Sequence, residues 1–238
     1  MTRDLVYGRR PVREVLRGRR EVLELWATDR AVAAEQWLRD APLKVQARPE
    51  RQLSEAAGTR DHQGVVAWTA PYRYADAWEL AARERPLIVC LDQVTDPRNL
   101  GAVVRSADGA GATGVVVPAH GSAAVTPAVA KASAGAIEHL PVAVVPNLAR
   151  YLAEIKRGDL WIYAAAAGAG KSLWETDFTG GTVLVLGAEG KGLRPLVRRT
   201  CDATVSIPLA GAVESLNVSV AAALLLFEAA RQRTGSAA

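Results

Sequence analysis

The sequence predicts an α/β protein in two parts: a small N-terminal α/β unit, then a larger unit built on a parallel sheet with helices on both faces. Three observations predict this. Strand-like and helix-like runs alternate along the whole chain. After residue 86 the strand-like runs are almost wholly apolar, as strands buried on both faces are. Between the two parts lies PYRYADAWELAARERP (71–86), with proline at both ends of a charged helical piece. The expected division is therefore 1–70, a linker at 71–86, and 87–238.

In the first part, Val12, Val15 and Leu16 form a short helical stripe after Pro11. EVLELWA (21–27) reads as a strand, AVAAEQWLRD (31–40) as a helix, and LKVQA (43–47) as a strand. RQLSEAAG (51–58) reads as a short helix ended by Gly58, and GVVAWTA (64–70) as another strand. In the second part, strands are expected at 87–92, 114–118, 142–145, 160–166, 182–187 and 203–208. Helices are expected around 99–110, 127–138, 148–157, 193–199 and 216–233. Ligands of such sheets bind beyond the carboxyl ends of the strands, so the loops starting at Asp92, Gly187 and Pro208 are the places to look.

Composition narrows the function classes. Of 238 residues, 50 % are hydrophobic and 23 % charged, which excludes intrinsic disorder. The longest apolar stretch, Val218 to Phe227, is interrupted by Ser219 and is about half the length of a membrane span. No membrane partner is expected. The N-terminus has no apolar signal-type region, and Cys90 and Cys201 lie far apart without metal-type spacing. A reduced, cytoplasmic compartment is expected. Against a net charge of +4, residues 1–20 alone carry seven arginines and two acids. Arginine forks suit phosphate oxygens and stack on bases, so this cluster reads either as a nucleic-acid face or as a solvated helix face.

Two nucleotide motifs fail. AAAAGAGKS (164–172) ends like a phosphate-binding loop, but Ala165 stands where the first glycine is required and LWETDFTG is a poor helix start. GAEGKG (187–192) has its glycines in the wrong order for a dinucleotide turn. Three other segments do match something: DPRNLGAVVRSA after the strand LIVCLD, LVLGAEGKGL, and IPLAGAVESLNVSVAAA opening the last helix. Together, in this order, they resemble the three motifs of the SpoU (TrmH-type) family of RNA 2′-O-ribose methyltransferases, in the SPOUT superfamily. The likeness is strong over 87–233. It extends more weakly to the N-terminal unit through LVYGRRPVREVL and HQGVVA, similar to the family's small, ribosomal-protein L30e-like substrate-binding domain. Within the family it is nearest the bacterial enzymes that methylate a guanosine in the peptidyl-transferase region of 23S ribosomal RNA.

The resemblance implies a C-terminal trefoil knot, which general topology rules would have argued against. It implies S-adenosylmethionine bound by the knot loops, no metal, an RNA partner, and a homodimer whose last helices meet. By family likeness the cofactor contacts are Leu186, Gly187, Ile207, Leu209 and Leu216, and the catalytic set is Asn99, Arg105, Glu189, Ser215 and Asn217. A guanidinium hardly deprotonates, so Arg105 is expected to hold a phosphate and stabilise a developing alkoxide rather than act as a base. Asn99, Ser215 and Asn217 also read as helix caps, Glu189 as a solvated loop acid, and the apolar cofactor contacts as core. His62, His120 and His139 are scattered, which supports no metal site. The alternatives are methylation of tRNA or of an antibiotic-contacting rRNA nucleotide, or a non-catalytic RNA-binding assembly factor. The two-part reading further predicts that removing residues 1–86 leaves cofactor binding nearly intact.

Overall fold

The computed structural model describes residues 2–168, 170–212 and 214–235. Ala169 of the alanine-rich run and Val213 of the third motif lie outside them. The chain opens with β1 (Asp4–Tyr7), α1 (Arg9–Arg17), β2 (Val22–Ala27), α2 (Asp29–Ala34), α3 (Gln36–Arg39), β3 (Val45–Ala47), α4 (Glu50–Ala57) and β4 (Val65–Thr69). It continues through α5 (Ala77–Ala81), β5 (Leu87–Asp92), α6 (Pro97–Gly109), β6 (Gly114–Pro118), α7 (Pro127–Ala132), a 3-10 turn (Ala136–Glu138), β7 (Val142–Val145) and α8 (Leu148–Glu154). It closes with β8 (Leu160–Ala165), β9 (Lys171–Ser172), β10 (Gly181–Gly187), α9 (Pro195–Thr200), β11 (Ala203–Ser206) and α10 (Val218–Gly235).

Two compact units result. The first comprises residues up to Arg73 together with Val125–His139. Its sheet has the order β1-β4-β2-β3, with β4 antiparallel to both neighbours and β3 parallel to β2. Gly58 ends α4 in the left-handed region at φ 63°, as its place after the apolar stripe predicts. The helix expected over 31–40 is broken: Glu35 is extended between α2 and α3, and its carboxylate accepts from Arg9 and from the Trp37 indole. The helix expected over 127–138 is likewise broken, at Ala134 and Gly135, both with positive φ. A Cβ on Gly135 would lie 2.6 Å from that of Glu14, so the chain turns away where it meets α1. Segment 125–139 is tied down within this unit by the buried Arg20–Glu138 ion pair and by Glu14 with His139. Burial pushes the Glu138 carboxyl up, and the Arg20 guanidinium pulls the other way.

The second unit holds a seven-stranded, wholly parallel sheet of order β7-β6-β5-β10-β8-β11-β9. One face carries Ile88, Cys90, Val183 and Val185 against α5, α8 and α9. Alternate residues such as Val89, Leu91, Leu184 and Leu186 point to the other face, where α6 and α10 pack together. The stretch 71–86 divides between the units. Arg73 ends the first, and Ala77, Leu80 and Ala81 of α5 sit in the core of the second. Lys171 and Ser172 form an edge strand rather than opening a helix. Cys90 and Cys201 are free thiols, and burial pushes Cys201 up to about 12. Among the described residues no helix is long and apolar enough to cross a membrane.

Candidate active site

Because every strand of the large sheet runs the same way, the carboxyl ends of β8, β10 and β11 come out on one edge. There they enclose a cleft of about 370 Å³. Ala165–Ala167 leave β8 along one wall, and Leu186 and Gly187 end β10 at its floor. Ile207 and Leu209 follow β11, where Pro208 cannot continue the ladder, so the strand stops at Ser206 rather than at 208. Ser215 and Leu216 line the cleft just before α10. Thus Leu186, Gly187, Ile207, Leu209 and Leu216 share one concave surface, with Glu189 and Ser215 on its rim.

The loop after β10 is shaped by its glycines. Gly192 N–H donates to the Ala188 carbonyl at 2.8 Å, closing a tight turn through Gly190 at φ 75° and Gly192 at φ 65°. A Cβ on Gly187 would stand 2.1 Å from the Gly192 carbonyl carbon, so only glycine lets the loop fold back over the strand end. The far end of the loop is pinned by a charge pair that sequence reading did not assign to the site. Asp92, the fully buried last residue of β5, accepts from Arg194 N–H at 2.9 Å and Nε at 2.8 Å, with Nη2 at 2.7 Å. Three donors on one carboxylate offset its loss of water. The signal was present: an acid closing an apolar strand, LIVCLD, requires a partner. Nothing in the sequence marked Arg194 as that partner, nor Arg198 and Glu214 as further residues lining the cleft.

Asn99 is not the N-cap of α6. Asp96 caps it, accepting from Arg98 N–H at 2.8 Å with Pro97 in the first turn, and Asn99 sits within the helix. Its side chain meets the third motif instead. Asn217 uses Oδ1 to accept from Ser219 N–H (2.9 Å) and Oγ–H (2.6 Å), which caps α10. That leaves its Nδ2 to donate to Asn99 Oδ1 at 3.1 Å. The amide orientations are thereby set, and the Asn99 Nδ2 group has no partner among the described residues. Glu189 and Ser215 are exposed. Arg105 is exposed on α6 nearly two turns beyond Asn99, outside the residues lining the cleft and without an ion pair among the described residues. The same residues contain no group of three His, Cys, Asp or Glu placed to hold a metal.

Comparison with known proteins agrees with this geometry. Residues 86–227 match the SpoU rRNA Methylase family, and residues 5–75 match the RNA 2′-O ribose methyltransferase substrate binding family. The chain is 39 % identical to the 23S rRNA (guanosine-2′-O-)-methyltransferase RlmB of Vibrio vulnificus (strain CMCP6), over 99 % of this chain and 100 % of that one. It is 42 % identical to the protein of the same name from Pseudomonas aeruginosa (strain PAO1), over 97 % of each. Among solved structures it resembles the SpoU methyltransferase AviRb from Streptomyces viridochromogenes in complex with the cofactor AdoMet. The TM-score is 0.82 at 31 % identity, covering 97 % of this chain and 90 % of that one.

Proposed function

The chain belongs to the SpoU rRNA methylase family, and on that premise we propose that it methylates the ribose 2′-hydroxyl of a guanosine in the peptidyl-transferase region of 23S ribosomal RNA, using S-adenosylmethionine. The observation that carries this reading is the cleft at the strand ends. Its apolar floor of Leu186, Ile207, Leu209 and Leu216 suits a flat base, and the glycine-rich turn after β10 presents backbone donors and acceptors without side chains in the way. A cleft of about 370 Å³ is of the size that takes a small organic cofactor.

S-adenosylmethionine supplies an activated methyl group, so the protein's task is alignment and removal of one proton. Leu186, Leu209 and Leu216 exclude water around the methyl donor. In this reading Asn99, whose amide is oriented by Asn217, orients the ribose hydroxyl. Arg105 holds the neighbouring phosphate and stabilises the developing alkoxide while the hydroxyl proton passes to solvent water as the O–CH3 bond forms. Glu189 and Ser215 position substrate at the rim of the cleft. In this reading the enzyme is a cytoplasmic homodimer, needs no metal, and threads its C-terminal segment into a knot. Support for the threading comes from the match to the SpoU family over residues 86–227.

The test is single-turnover transfer of labelled methyl to 23S rRNA transcripts in the presence of a chelator, with mapping of the modified nucleotide. Transfer to one guanosine ribose in the peptidyl-transferase region is expected. Transfer to tRNA only, or strict dependence on a divalent ion, would overturn the assignment.

A further inference from the structure

The N-terminal unit carries a second concave surface, separate from the cleft at the strand ends. It is a cleft of about 480 Å³ lined by the first turns of α1, by Glu35, Trp37 and Gln63, and by Lys131. Its inner wall is built rather than incidental. Glu35 accepts from Arg9 Nη1 at 2.9 Å and from the Trp37 indole N–H at 2.7 Å. Gln63 Oε1 accepts from Arg9 N–H at 3.0 Å. Gly8, at φ 96°, lets this wall close, because a Cβ there would stand 2.7 Å from Lys131 Nζ and 3.2 Å from Gln63 Oε1. Lys131 in turn donates to the Asp61 carbonyl at 2.9 Å, and burial lowers its ammonium pKa.

Against this wall stand two cations with nothing to hold. Arg10 and Arg13 line the cleft, are exposed, and have no hydrogen bond or ion pair among the described residues. They are three residues apart on α1, hence about 5–6 Å apart at Cβ, a separation that neighbouring phosphates can bridge. Glu35, the one anion among the described residues of the wall, is consumed by Arg9 and Trp37. The indole N–H of Trp37 is also spent, so what that residue can offer a ligand is its ring face. Unpaired guanidiniums around a tethered aromatic ring make the chemistry of a single-stranded nucleotide site, with phosphates on the cations and a base stacked on the ring.

We propose that this cleft takes one unpaired nucleotide of the RNA substrate, its base against Trp37 and its flanking phosphates on Arg10 and Arg13. The proposal rests on the RNA methyltransferase reading above and extends it to where the RNA is recognised. It assigns two of the seven N-terminal arginines to phosphate contact. Arg9 and Arg20 are excluded, being engaged with Glu35 and Glu138. It also gives segment 125–139 a part in recognition, since Lys131 comes from it. A concave site accepts a nucleotide splayed from a loop and not one held in a duplex.

The test uses the full chain and two fluorescein-labelled RNAs: a hairpin with an unpaired loop, and the blunt duplex of its stem. Arg10→Ala and Arg13→Ala change exposed side chains. Each should weaken hairpin binding and reduce the slope of log K against log salt by about 0.7. Trp37→Ala should weaken hairpin binding by about tenfold or more, with little change for the duplex, and Trp37→Phe should restore much of it. Calorimetric titration with S-adenosylmethionine should be the same for all variants, and an unchanged melting temperature and circular dichroism should show that the unit carrying the substitutions is folded. Unchanged hairpin affinity in Trp37→Ala, equal loss for hairpin and duplex, or no RNA binding by the unaltered protein would overturn the proposal. The two readings fail separately. Methyl transfer at normal KM by the Arg10 and Trp37 variants would sink this site and leave the enzyme reading intact. Hairpin binding through this cleft without methyl transfer to any RNA would do the reverse.

Discussion

Arg105 and Asp92 show two opposite uses of charge in one unit. Arg105 is exposed and has no ion pair among the described residues, so it adds little to stability and can meet a phosphate. Arg105→Ala should keep the melting temperature and the cofactor affinity while single-turnover methyl transfer falls about 100-fold or more, the scale of losing one transition-state electrostatic partner. Asp92 has no exposed surface and depends on Arg194. Arg194→Ala strands a buried carboxylate with one remaining backbone donor, and should cost about 3 kcal/mol in denaturant unfolding. His62 supplies a pH dependence. Its Nδ1 accepts from Gly64 N–H at 3.0 Å, so Nε2–H faces Ser54 Oγ at 2.9 Å and the ring is neutral. Burial lowers its pKa below the ordinary 6.5. The unfolded chain therefore takes up the proton first on acidification. This contribution is whole above about pH 6.5 and is lost as pH falls from there toward the folded-state pKa. His62→Asn, which keeps an acceptor for Gly64, should flatten the fall in stability between pH 7 and 5.

The loop after β10 and the last helix are elements whose shape decides function. Gly187→Ala puts a methyl group 2.1 Å from the Gly192 carbonyl carbon, which no side-chain rotation relieves. The turn must open, so S-adenosylmethionine binding should be lost in calorimetry while the sheet's circular dichroism persists. On α10, Leu225, Leu226 and Ala229 are buried, whereas Val220, Leu224 and Phe227 are 48 %, 40 % and 53 % exposed. Positions i, i+4 and i+7 fall on one helix face, so α10 carries an apolar stripe that the described residues leave exposed. This stripe supports the homodimer proposed above. Leu224→Glu with Phe227→Glu should give a monomer by light scattering at micromolar concentration. An unchanged dimer would place the interface elsewhere.

At the scale of the whole molecule, chain order and compact units do not coincide. Residues 125–139 lie inside the stretch matching the methylase family, 86–227, yet pack with the N-terminal sheet. The expectation that removing residues 1–86 spares cofactor binding is corrected on that ground. The cut takes away the partners of Val129, Ala130, Ala136 and Ile137, and it removes Ala77, Leu80 and Ala81 from the core of the remaining unit. The truncated chain should be aggregation-prone and cleaved within 125–139 by limited proteolysis. Loss of cofactor binding by that chain would therefore reflect folding. Point substitutions at Arg10, Arg13 and Trp37 separate RNA binding from folding, and deletion does not.

The sequence by itself determined the parallel sheet, the strands at 87–92, 114–118 and 142–145, and the family, because apolar strands buried on both faces and long local motifs are properties of contiguous residues. The family resemblance of the motifs also named the five residues proposed for the cofactor, which line one cleft. Only the tertiary structure decided what joins residues distant in the chain. It brought Asn217 to Asn99 across 118 positions and Arg194 to Asp92 across 102. It also broke the helices expected at 31–40 and 127–138, because Glu35 bonds Arg9 and because Gly135 is crowded against Glu14. Those partners are set by how the elements pack, and helical periodicity carries no record of what a side chain will meet.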